Sequence, residues 1–586
     1  MKLKHILFGG LLLVAAAGCK KDLLDTAPYG ELGSENMWLT DNLTDLGVNG
    51  VYQALRSNYG NADGHELYQM DMFSFTGMSR SATAMMQGTI LPSNGFFSNQ
   101  WRGFYEGIIR ANDAIANIPL KSPSAEAKKA RLIAESKFLR AYYYFRLNEM
   151  WRGVPIYLEP IGYNEFKRPR NTEQEVWDVV IKDLTDAINE PNLPNRYPKG
   201  NVAFGRATKA AAFALRGKTY LHLGRWADAV ADFDKVEEAG HALFPNYREL
   251  FREANEQSEE MIFSIQNTGI QGLGSSTQFY CGTRSSFGSC WNSFVVSPNL
   301  VDLYEKTDGS SFNWDDVVPG YNAMSSTARQ VYFLRDNMTS GEISAANNRG
   351  ADMTRYLPTG NEARIRLAYQ NRDPRLNLNV IVPYADYNGV LGAAPSTVTS
   401  RFPFRTENAP TRDLRTDSQN FFFYLYRKFV YEGNNELLNR AFGPIDYPVI
   451  RFADVLLMRA EARIELNQLT QAMVDINRVR ARVGMPALQN TNAALPTFVT
   501  SQSNLRDRLR NERRAEFPNE GINFFDEVRW RTWRNTAFRA GNGVAQVWGQ
   551  NTAPYNWAGD FLYRWPIPQV EIERNPTLVQ NPGWPN

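Results

Sequence analysis

The feature that most constrains this chain is the helical spacing of apolar residues between positions 125 and 150. Steps of three and four residues separate Phe138, Ala141 and Phe145, so their side chains share one face of an α-helix. Arginine and lysine occupy positions between them and leave a polar face for solvent. The same spacing recurs from about residue 41, over Trp101–Pro119 and over Glu173–Ile188. These segments predict a mostly α-helical protein.

Residues 206–240 add the pattern of a helical hairpin. Small and aromatic residues recur at the spacing of a tetratricopeptide repeat: Phe213, Gly217 and Tyr220, then Ala229, Phe233 and Val236. In such a hairpin a small residue lets two helices approach, and an aromatic ring fills the gap. Arg216 stands where the repeat usually has leucine, so this copy is degenerate. A weaker copy over 450–486 predicts several stacked hairpins, because one repeat cannot bury its face alone.

The middle of the chain, residues 268–430, lacks long helical patterns and is rich in glycine, serine, asparagine, threonine and proline. Aromatic residues are nevertheless dense there, which argues against disorder. Long irregular segments inside a folded protein are usually functional. We therefore predict one domain over 41–586, with helical parts at 41–267 and 431–586 and a loop-rich, aromatic-rich insertion between them.

The N-terminus carries an export signal ahead of Cys19. A basic start precedes an apolar run that is too short to span a bilayer and ends in small residues. A cysteine directly after small residues resembles the cleavage site of bacterial lipoproteins, although Ala16 stands where leucine is usual. We predict a signal peptide at 1–18, a lipid on Cys19 and a tether at 19–40. The alternative is an ordinary signal peptide followed by a chance cysteine.

Net charge excludes some classes of partner. The full sequence has 64 basic and 62 acidic side chains, and loss of residues 1–18 removes two lysines, so the mature chain has no net charge. Nucleic-acid binding needs clustered, uncompensated lysine and arginine. The composition therefore argues against nucleic acid and against electrostatic capture of a highly charged polymer. It says nothing about a neutral ligand.

Catalytic motifs are absent from the sequence. Its four histidines support no Ser-His-Asp or Cys-His arrangement, and no P-loop motif occurs. Acids and arginines between 512 and 529 could perform acid–base chemistry, but a charge-balanced cluster is more often structural. We expect an ion-pair network from Glu512, Arg513, Arg514, Glu516, Glu520, Asp526 and Arg529. The sequence leaves open a catalytic pair of carboxylates of the glycosidase type, since 62 acidic residues provide many close pairs.

Several blocks resemble the RagB/SusD family of Bacteroidetes nutrient-binding lipoproteins. The segment YPVIRFADVLLMRAEAR at 447–463 matches the family's R-x-A-[DE]-V-x-L-x-x-AEA helix. NERRAEFPNEGINFFDEVRW at 511–530 matches its ERR, EG, FFD and RW block. The tail YRWPIPQVEIERNPTLVQNPGW is close to the family's ending. Further matches at 134–158 and 204–223 lie in the family's order, so the resemblance nearly spans the chain.

This resemblance implies a SusD-like α superhelix, in which tetratricopeptide-like hairpins hold a loop-rich region. It implies a lipid-anchored position in the outer membrane, facing outward at the cell surface. The implied partners are a glycan ligand and a SusC-like, TonB-dependent outer-membrane transporter that receives it. Family members are not catalysts, and no cofactor is implied.

Candidate ligand residues follow from the chemistry of sugars. A flat aromatic ring covers the C–H face of a sugar, and Asp, Asn or Arg side chains bind its hydroxyl groups. In this family, glycan-binding residues come from the loop region before the second helix and from the irregular middle. Trp314, in the polar stretch DGSSFNWDD, is the favoured candidate. The others, chosen by region and chemistry, are Trp291, Phe96, Asp71, Arg80, Asn99, Tyr280 and Tyr321. Core packing is the alternative for each.

Two further cysteines, Cys281 and Cys290, flank a short loop. Export places them where disulfides form, so we predict a bond between them, with free thiols as the alternative. A zinc site is not expected, because cysteine and histidine lack suitable spacing. The Asp315–Asp316 pair offers oxygen ligands for Ca²⁺, but two solvated acids are the simpler interpretation.

The sequence thus predicts a surface lipoprotein that captures an oligosaccharide and delivers it to a transporter. Capture of oligopeptides by the same architecture is the first alternative, and it would favour polar groups that bind a peptide backbone. A tetratricopeptide-like scaffold for protein partners is the second. A surface hydrolase is the third.

Overall fold

The computed structural model describes most of the chain after the predicted tether. It covers residues 33, 35–56, 67–162, 165–391, 394–406, 412–433 and 439–585. The predicted signal peptide and Cys19 lie outside these residues. Within these ranges, we find no helix with the length and apolar character needed to cross a membrane.

Nine helices of 13 residues or more form the frame of the described part. In chain order they are α1 Asp41–Gln53, α2 Gly95–Lys121, α3 Glu126–Trp151, α4 Glu173–Asn189, α5 Lys209–His222, α6 Trp226–Glu238, α7 Phe452–Glu465, α8 Leu469–Arg482 and α9 Gln502–Glu516. The sequence predicted helices over 125–150 and Glu173–Ile188, and the structure confirms both to within one residue.

Helix α2 starts earlier than its apolar pattern predicts. The spacing predicts a stretch over Trp101–Pro119, whereas the helix begins six residues before Trp101. Asn94 explains the early start, because its side chain accepts a hydrogen bond from a backbone N–H of the first turn and so caps the helix. Pro119 lies in the last turn, two residues before the end of the helix.

The long helices pack in a continuous order. Helix α2 packs on α3, α3 on α4, α4 on α5 and α5 on α6. Helix α6 then packs on α7, which also contacts α8 and α9. The N-terminal and C-terminal groups therefore form one stack, which confirms the mostly α-helical architecture that the family resemblance implies.

An arginine–aspartate pair joins the two helices of each predicted hairpin. Arg216 of α5 donates hydrogen bonds of 2.8 and 2.7 Å to Asp232 of α6. Arg459 of α7 binds Asp475 of α8 in the same way, at 3.0 and 2.7 Å. In both hairpins the partners are 16 residues apart. Arg216, which stands where the repeat usually has leucine, therefore links the two helices through a pair of hydrogen bonds to one carboxylate.

Short elements fill the rest of the described chain, and between residues 268 and 430 none of its helices exceeds nine residues. The shorter α-helices are Ala84–Gln87, Tyr247–Leu250, Thr277–Cys281, Pro298–Leu303, Ser326–Arg329, Ser340–Asn348, Asn361–Arg366, Arg375–Asn379, Asn523–Arg529, Trp533–Thr536 and Gln569–Arg574. The strands are β1 Gly77–Ser79, β2 Met261–Ile265, β3 Phe294–Val296, β4 Val380–Ile381, β5 Asp386–Leu391, β6 Ala394–Thr399, β7 Leu425–Tyr426, β8 Tyr447–Arg451, β9 Gly543–Ala545 and β10 Asn551–Pro554. They form antiparallel pairs β1–β3, β2–β8, β4–β7, β5–β6 and β9–β10.

A buried ion-pair network connects α9 to the middle of the chain. Glu516, at the end of α9, lies 3.0 Å from Arg375 and 2.8 Å from Arg451. Arg451 also binds Glu520 at 2.7 Å. Burial alone would raise the pKa of Glu516, but the surrounding guanidinium groups hold it well below its usual range. These carboxylates are held in ion pairs, which confirms the structural interpretation of the acid and arginine cluster.

Candidate functional site

The favoured candidate, Trp314, lies in the core. Its side chain is 7% exposed, and its ring stacks on Tyr321 with 4.7 Å between centroids. The indole Nε1 donates a hydrogen bond of 2.9 Å to Asp302. Tyr321 is 2% exposed. The structure contradicts the prediction that Trp314 and Tyr321 cover a ligand, because both rings are packed in the core and leave little surface for one.

Asp71 is also buried. It lies in a short 3-10 helix, Leu67–Phe73, and none of its surface is exposed. Burial, which disfavours the charged form, raises the pKa of Asp71 to about 8. A carboxyl group in this position cannot reach a ligand at the surface, so the prediction for Asp71 is wrong.

Phe96 and Asn99 lie at the start of α2. The Phe96 ring is half-buried and packs on Phe73 at 5.7 Å and on Trp565 at 5.1 Å between centroids. Asn99 accepts a hydrogen bond of 3.4 Å from Arg102, one turn further along the same helix. The ring contacts make Phe96 a packing residue. A ligand role for Asn99 stays a prediction.

Arg80, Tyr280 and Trp291 come together at one surface. Strand β1 pairs with β3 so that Ser79 lies opposite Phe294, and the backbone N–H of Arg80 then donates to the Ser293 carbonyl at 2.8 Å. This pairing brings the first loop region beside the irregular middle of the chain. Three residues that the sequence selected by region and chemistry are therefore neighbours in space.

Aromatic rings form the centre of this surface. The Trp291 side chain is 40% exposed, and its other side contacts Phe279 with 4.4 Å between centroids. Tyr280 lies 6.4 Å from Trp291 and 5.8 Å from Phe294, whose ring continues into the core at Tyr68. The exposed indole thus rests on a cluster of tilted and edge-on rings, and its free surface offers a platform for a flat apolar ligand face.

Charged side chains surround the platform. Asp417 accepts hydrogen bonds from Arg80 at 2.9 Å and from Arg284 at 2.8 Å. Partial burial alone would raise the pKa of Asp417, but its bonds to Arg284 and Arg80 lower it below the ordinary value. Arg440 lies over the Phe279 ring at 4.6 Å and donates to the carbonyl of Gly288 at 3.0 Å. We define the Trp291 face by seven residues: Arg80, Phe279, Tyr280, Arg284, Trp291, Asp417 and Arg440.

Sequence reasoning missed Arg284, Asp417 and Arg440 as members of this face. Arg284 lies in the glycine- and serine-rich loop before Trp291, which is a weak local signal. Asp417 and Arg440 carry no such signal, because they come from segments more than 120 positions away along the chain. Their role depends entirely on tertiary contacts.

The predicted disulfide is not formed. Cys281 and Cys290 are buried free thiols, and each approaches a different partner: Asn519 Oδ1 at 3.6 Å and the Phe287 carbonyl at 3.5 Å. Backbone hydrogen bonds close the loop instead. The N–H of Cys290 donates to Thr283 at 2.9 Å, and that of Trp291 to the Phe279 carbonyl at 2.9 Å. These bonds fix the loop that presents Trp291 without a covalent link.

Metal ligands are not gathered in the part of the chain that the structure describes, where no three His, Cys, Asp or Glu side chains could jointly hold an ion. The acids considered for Ca²⁺ have other partners. Asp316 pairs with Lys306 at 2.5 Å, and Asp315 accepts a hydrogen bond of 2.9 Å from the Asn322 N–H. The simpler interpretation, two acids in a polar loop, accounts for them.

Two family models match the chain. The SusD family model covers residues 259–584. A second model, described as starch-binding associating with outer membrane, covers residues 22–221. Together the two matches include most of the helical frame and the Trp291 loop.

Related proteins agree with these matches. A SusD-like protein, P25, of Formosa agariphila is 23% identical over 99% of this chain and 98% of its own. A SusD-like carbohydrate-binding protein of Bacteroides fragilis has a TM-score of 0.72 at 22% identity, over 93% of this chain and 100% of that one. A laminarin-binding SusD-like protein has a TM-score of 0.61 at 23% identity, over the same shares of the two chains. With a family model matched over more than half of its length, the chain belongs to the SusD family.

Proposed function

We propose that this protein is a cell-surface lipoprotein that binds an oligosaccharide at the Trp291 face and delivers it to a TonB-dependent outer-membrane transporter. The exposed indole of Trp291 is the observation that carries the proposal. An aromatic platform with hydrogen-bonding side chains at its edge suits the C–H face and hydroxyl groups of a sugar ring.

Neighbouring residues extend the platform. A cleft lined by Asn292, Thr416, Gln419 and Phe421 adjoins the Trp291 loop. Phe421 is 43% exposed, so a second ring is accessible at this cleft. Amide and hydroxyl groups of the cleft provide donors and acceptors for sugar hydroxyls.

Names of relatives support a glycan as the ligand. Two structural neighbours are described as carbohydrate-binding and laminarin-binding. A matched family model is described as starch-binding and associated with the outer membrane. Lipidation at Cys19, exposure at the cell surface and transfer to a transporter belong to the same proposal and rest on the signal sequence and the family resemblance.

Binding without catalysis is part of the proposal. The acids and arginines that most resemble catalytic groups are buried in ion pairs, as in the contacts of Glu516 with Arg375 and Arg451. A carboxylate held by several guanidinium groups is not free to exchange protons with a substrate.

Calorimetric titration of a soluble form that lacks residues 1–19 tests the proposal. The ligands are oligosaccharides from plant, fungal and algal polysaccharides, together with a peptide pool. We expect saturable binding to one glycan class that Trp291→Ala weakens at least about tenfold, in line with loss of a central aromatic anchor. Trp226→Ala, on a helical hairpin, is the matched control and keeps wild-type affinity.

Two results would overturn this assignment. Equal glycan affinity in the Trp291→Ala and wild-type proteins would place the site elsewhere. Saturable peptide binding, with no response to any glycan, would favour the oligopeptide alternative.

A further inference from the structure

The charges on the Trp291 face do not balance. Among its seven residues are three guanidinium groups, Arg80, Arg284 and Arg440, and one carboxylate, Asp417. Arg80 and Arg284 share that carboxylate. Within the described residues Arg440 makes no ion pair, and its hydrogen bonds go to the backbone carbonyls of the loop. The face therefore carries an excess of two positive charges.

Arg451, a buried arginine of the ion-pair network, shows the opposite pattern. Arg451 contacts three carboxylates, on Glu260, Glu516 and Glu520. Charge compensation is expected in the interior, where an unpaired ion is costly. On the Trp291 face the side chains of Arg80 and Arg284 are only 22% and 27% exposed. Arg80 and Arg284 are partly desolvated, and Arg440 has no carboxylate partner among the described residues. An anionic group of a ligand could therefore neutralise the remaining positive charge.

From this arrangement we infer that the oligosaccharide bound at the Trp291 face is anionic and carries carboxylate or sulfate groups beside its apolar sugar face. The inference rests on the proposed function and specifies its ligand. A guanidinium group has a planar fork that matches both anions through paired, charge-assisted hydrogen bonds. The indole covers the sugar ring while Arg284 and Arg440 bind its acidic substituents.

The zero net charge of the mature chain does not conflict with a local anion site. Long-range attraction depends on the field of the whole protein, and a chain without net charge adds no net attraction for an anion at long range. Contacts at the face act over a few ångströms and depend only on the groups that line it. We therefore expect selectivity for an acidic oligosaccharide without fast, long-range steering.

Arg440 is the residue best suited to a test, because its removal breaks no ion pair among the described residues. The experiment is calorimetric titration of the form lacking residues 1–19 with three hexasaccharides: a neutral β-glucan, a polyuronate and a sulfated galactan. We compare wild type, Arg440→Gln and Arg440→Lys. Arg225→Gln is the control, since Arg225 forms an exposed pair with Asp228 on a helical hairpin.

We expect an acidic hexasaccharide to bind at least about tenfold more tightly than the neutral one, as for one charge-assisted contact pair. Arg440→Gln should remove most of that difference, Arg440→Lys should restore part of it, and Arg225→Gln should leave it unchanged. A preference for the polyuronate or for the sulfated galactan identifies the anion. Raising NaCl from 50 to 500 mM should weaken acidic binding and spare neutral binding.

Failure of the anionic-ligand inference can be distinguished from failure of the proposed function. Tight binding of the neutral glucan that depends on Trp291 but not on Arg440 or salt would overturn the anionic ligand and keep the proposed function. No binding of any of the three, with Trp291→Ala indistinguishable from wild type, would overturn both.

Discussion

Trp314 and Trp291 lie in the same irregular part of the chain, yet the fold uses them in opposite ways. Trp314 is 7% exposed and meets the rings of Phe312, Tyr321 and Phe333. Trp291 is 40% exposed and meets the rings of Phe279 and Tyr280. One indole anchors the insertion, and the other is available to a ligand.

The same contrast separates two aspartates. Asp71 is fully buried with a raised pKa, whereas Asp417 is partly exposed and its pKa is lowered by arginines. Residue type is shared by both members of each pair, and both tryptophans have polar neighbours in the sequence. Exposure, which decides whether a side chain can meet a ligand, is not a property of the local sequence.

The two tryptophans give the sharpest test of this comparison. Trp314→Ala should lower the free energy of unfolding by about 3–5 kcal/mol, because a large buried ring leaves a cavity. Trp291→Ala should lower it by less than about 1 kcal/mol, since Trp291 is already 40% exposed to water. Urea unfolding followed by circular dichroism measures both. Equal losses would mean that Trp291 is as much a core residue as Trp314.

The two aspartates differ in their effect on how the free energy of unfolding depends on pH. Asp71 binds its proton in the folded state up to about pH 8 and loses it near pH 4 when unfolded. Stability from this group is therefore present at low pH and lost as pH rises from about 4 to 8. Between pH 5 and 7, the unfolding free energy of wild type relative to Asp71→Asn should fall by up to about 1.4 kcal/mol per pH unit.

Asp417→Asn is the matched control for that measurement. The lowered pKa of Asp417 keeps its carboxylate ionised above pH 5 in both the folded and the unfolded protein. The unfolding free energy of Asp417→Asn should therefore change with pH as that of wild type does between pH 5 and 7. Urea unfolding at several pH values provides the comparison. Parallel curves for Asp71→Asn and wild type would show that Asp71 is ionised in the folded protein.

The loop that presents Trp291 gives the smallest expected effect. Because Cys281 and Cys290 are buried free thiols, reductant should not change the midpoint of thermal unfolding. Burial raises the pKa of Cys290 to about 12 and raises that of Cys281 further, so neither thiol should react with Ellman's reagent in the folded protein. In guanidinium, without reductant, the form lacking residues 1–19 should show two reactive thiols. None would mean that a disulfide exists.

Much of the fold could be predicted from the sequence. Helix α3 follows from steps of three and four residues, and the hairpins from small and aromatic residues at fixed spacing. The acid and arginine block could be assigned to structure because its charges balance. Three residues of the Trp291 face were predicted from the sequence: Arg80, Tyr280 and Trp291. Trp314, Tyr321 and Asp71 were predicted as well, but the structure buries them.

The sequence by itself determined the helical frame, because amphipathic spacing is a local property that one turn of helix converts directly into a buried face. It also carried the motifs of the family. Only the tertiary structure decided which rings stay exposed and which charges gather around them. Arg80 and Asp417 are 337 positions apart, and they meet because β1 pairs with β3 and the neighbouring loops fold onto that pair. Contacts of this range leave no periodic signal in the chain.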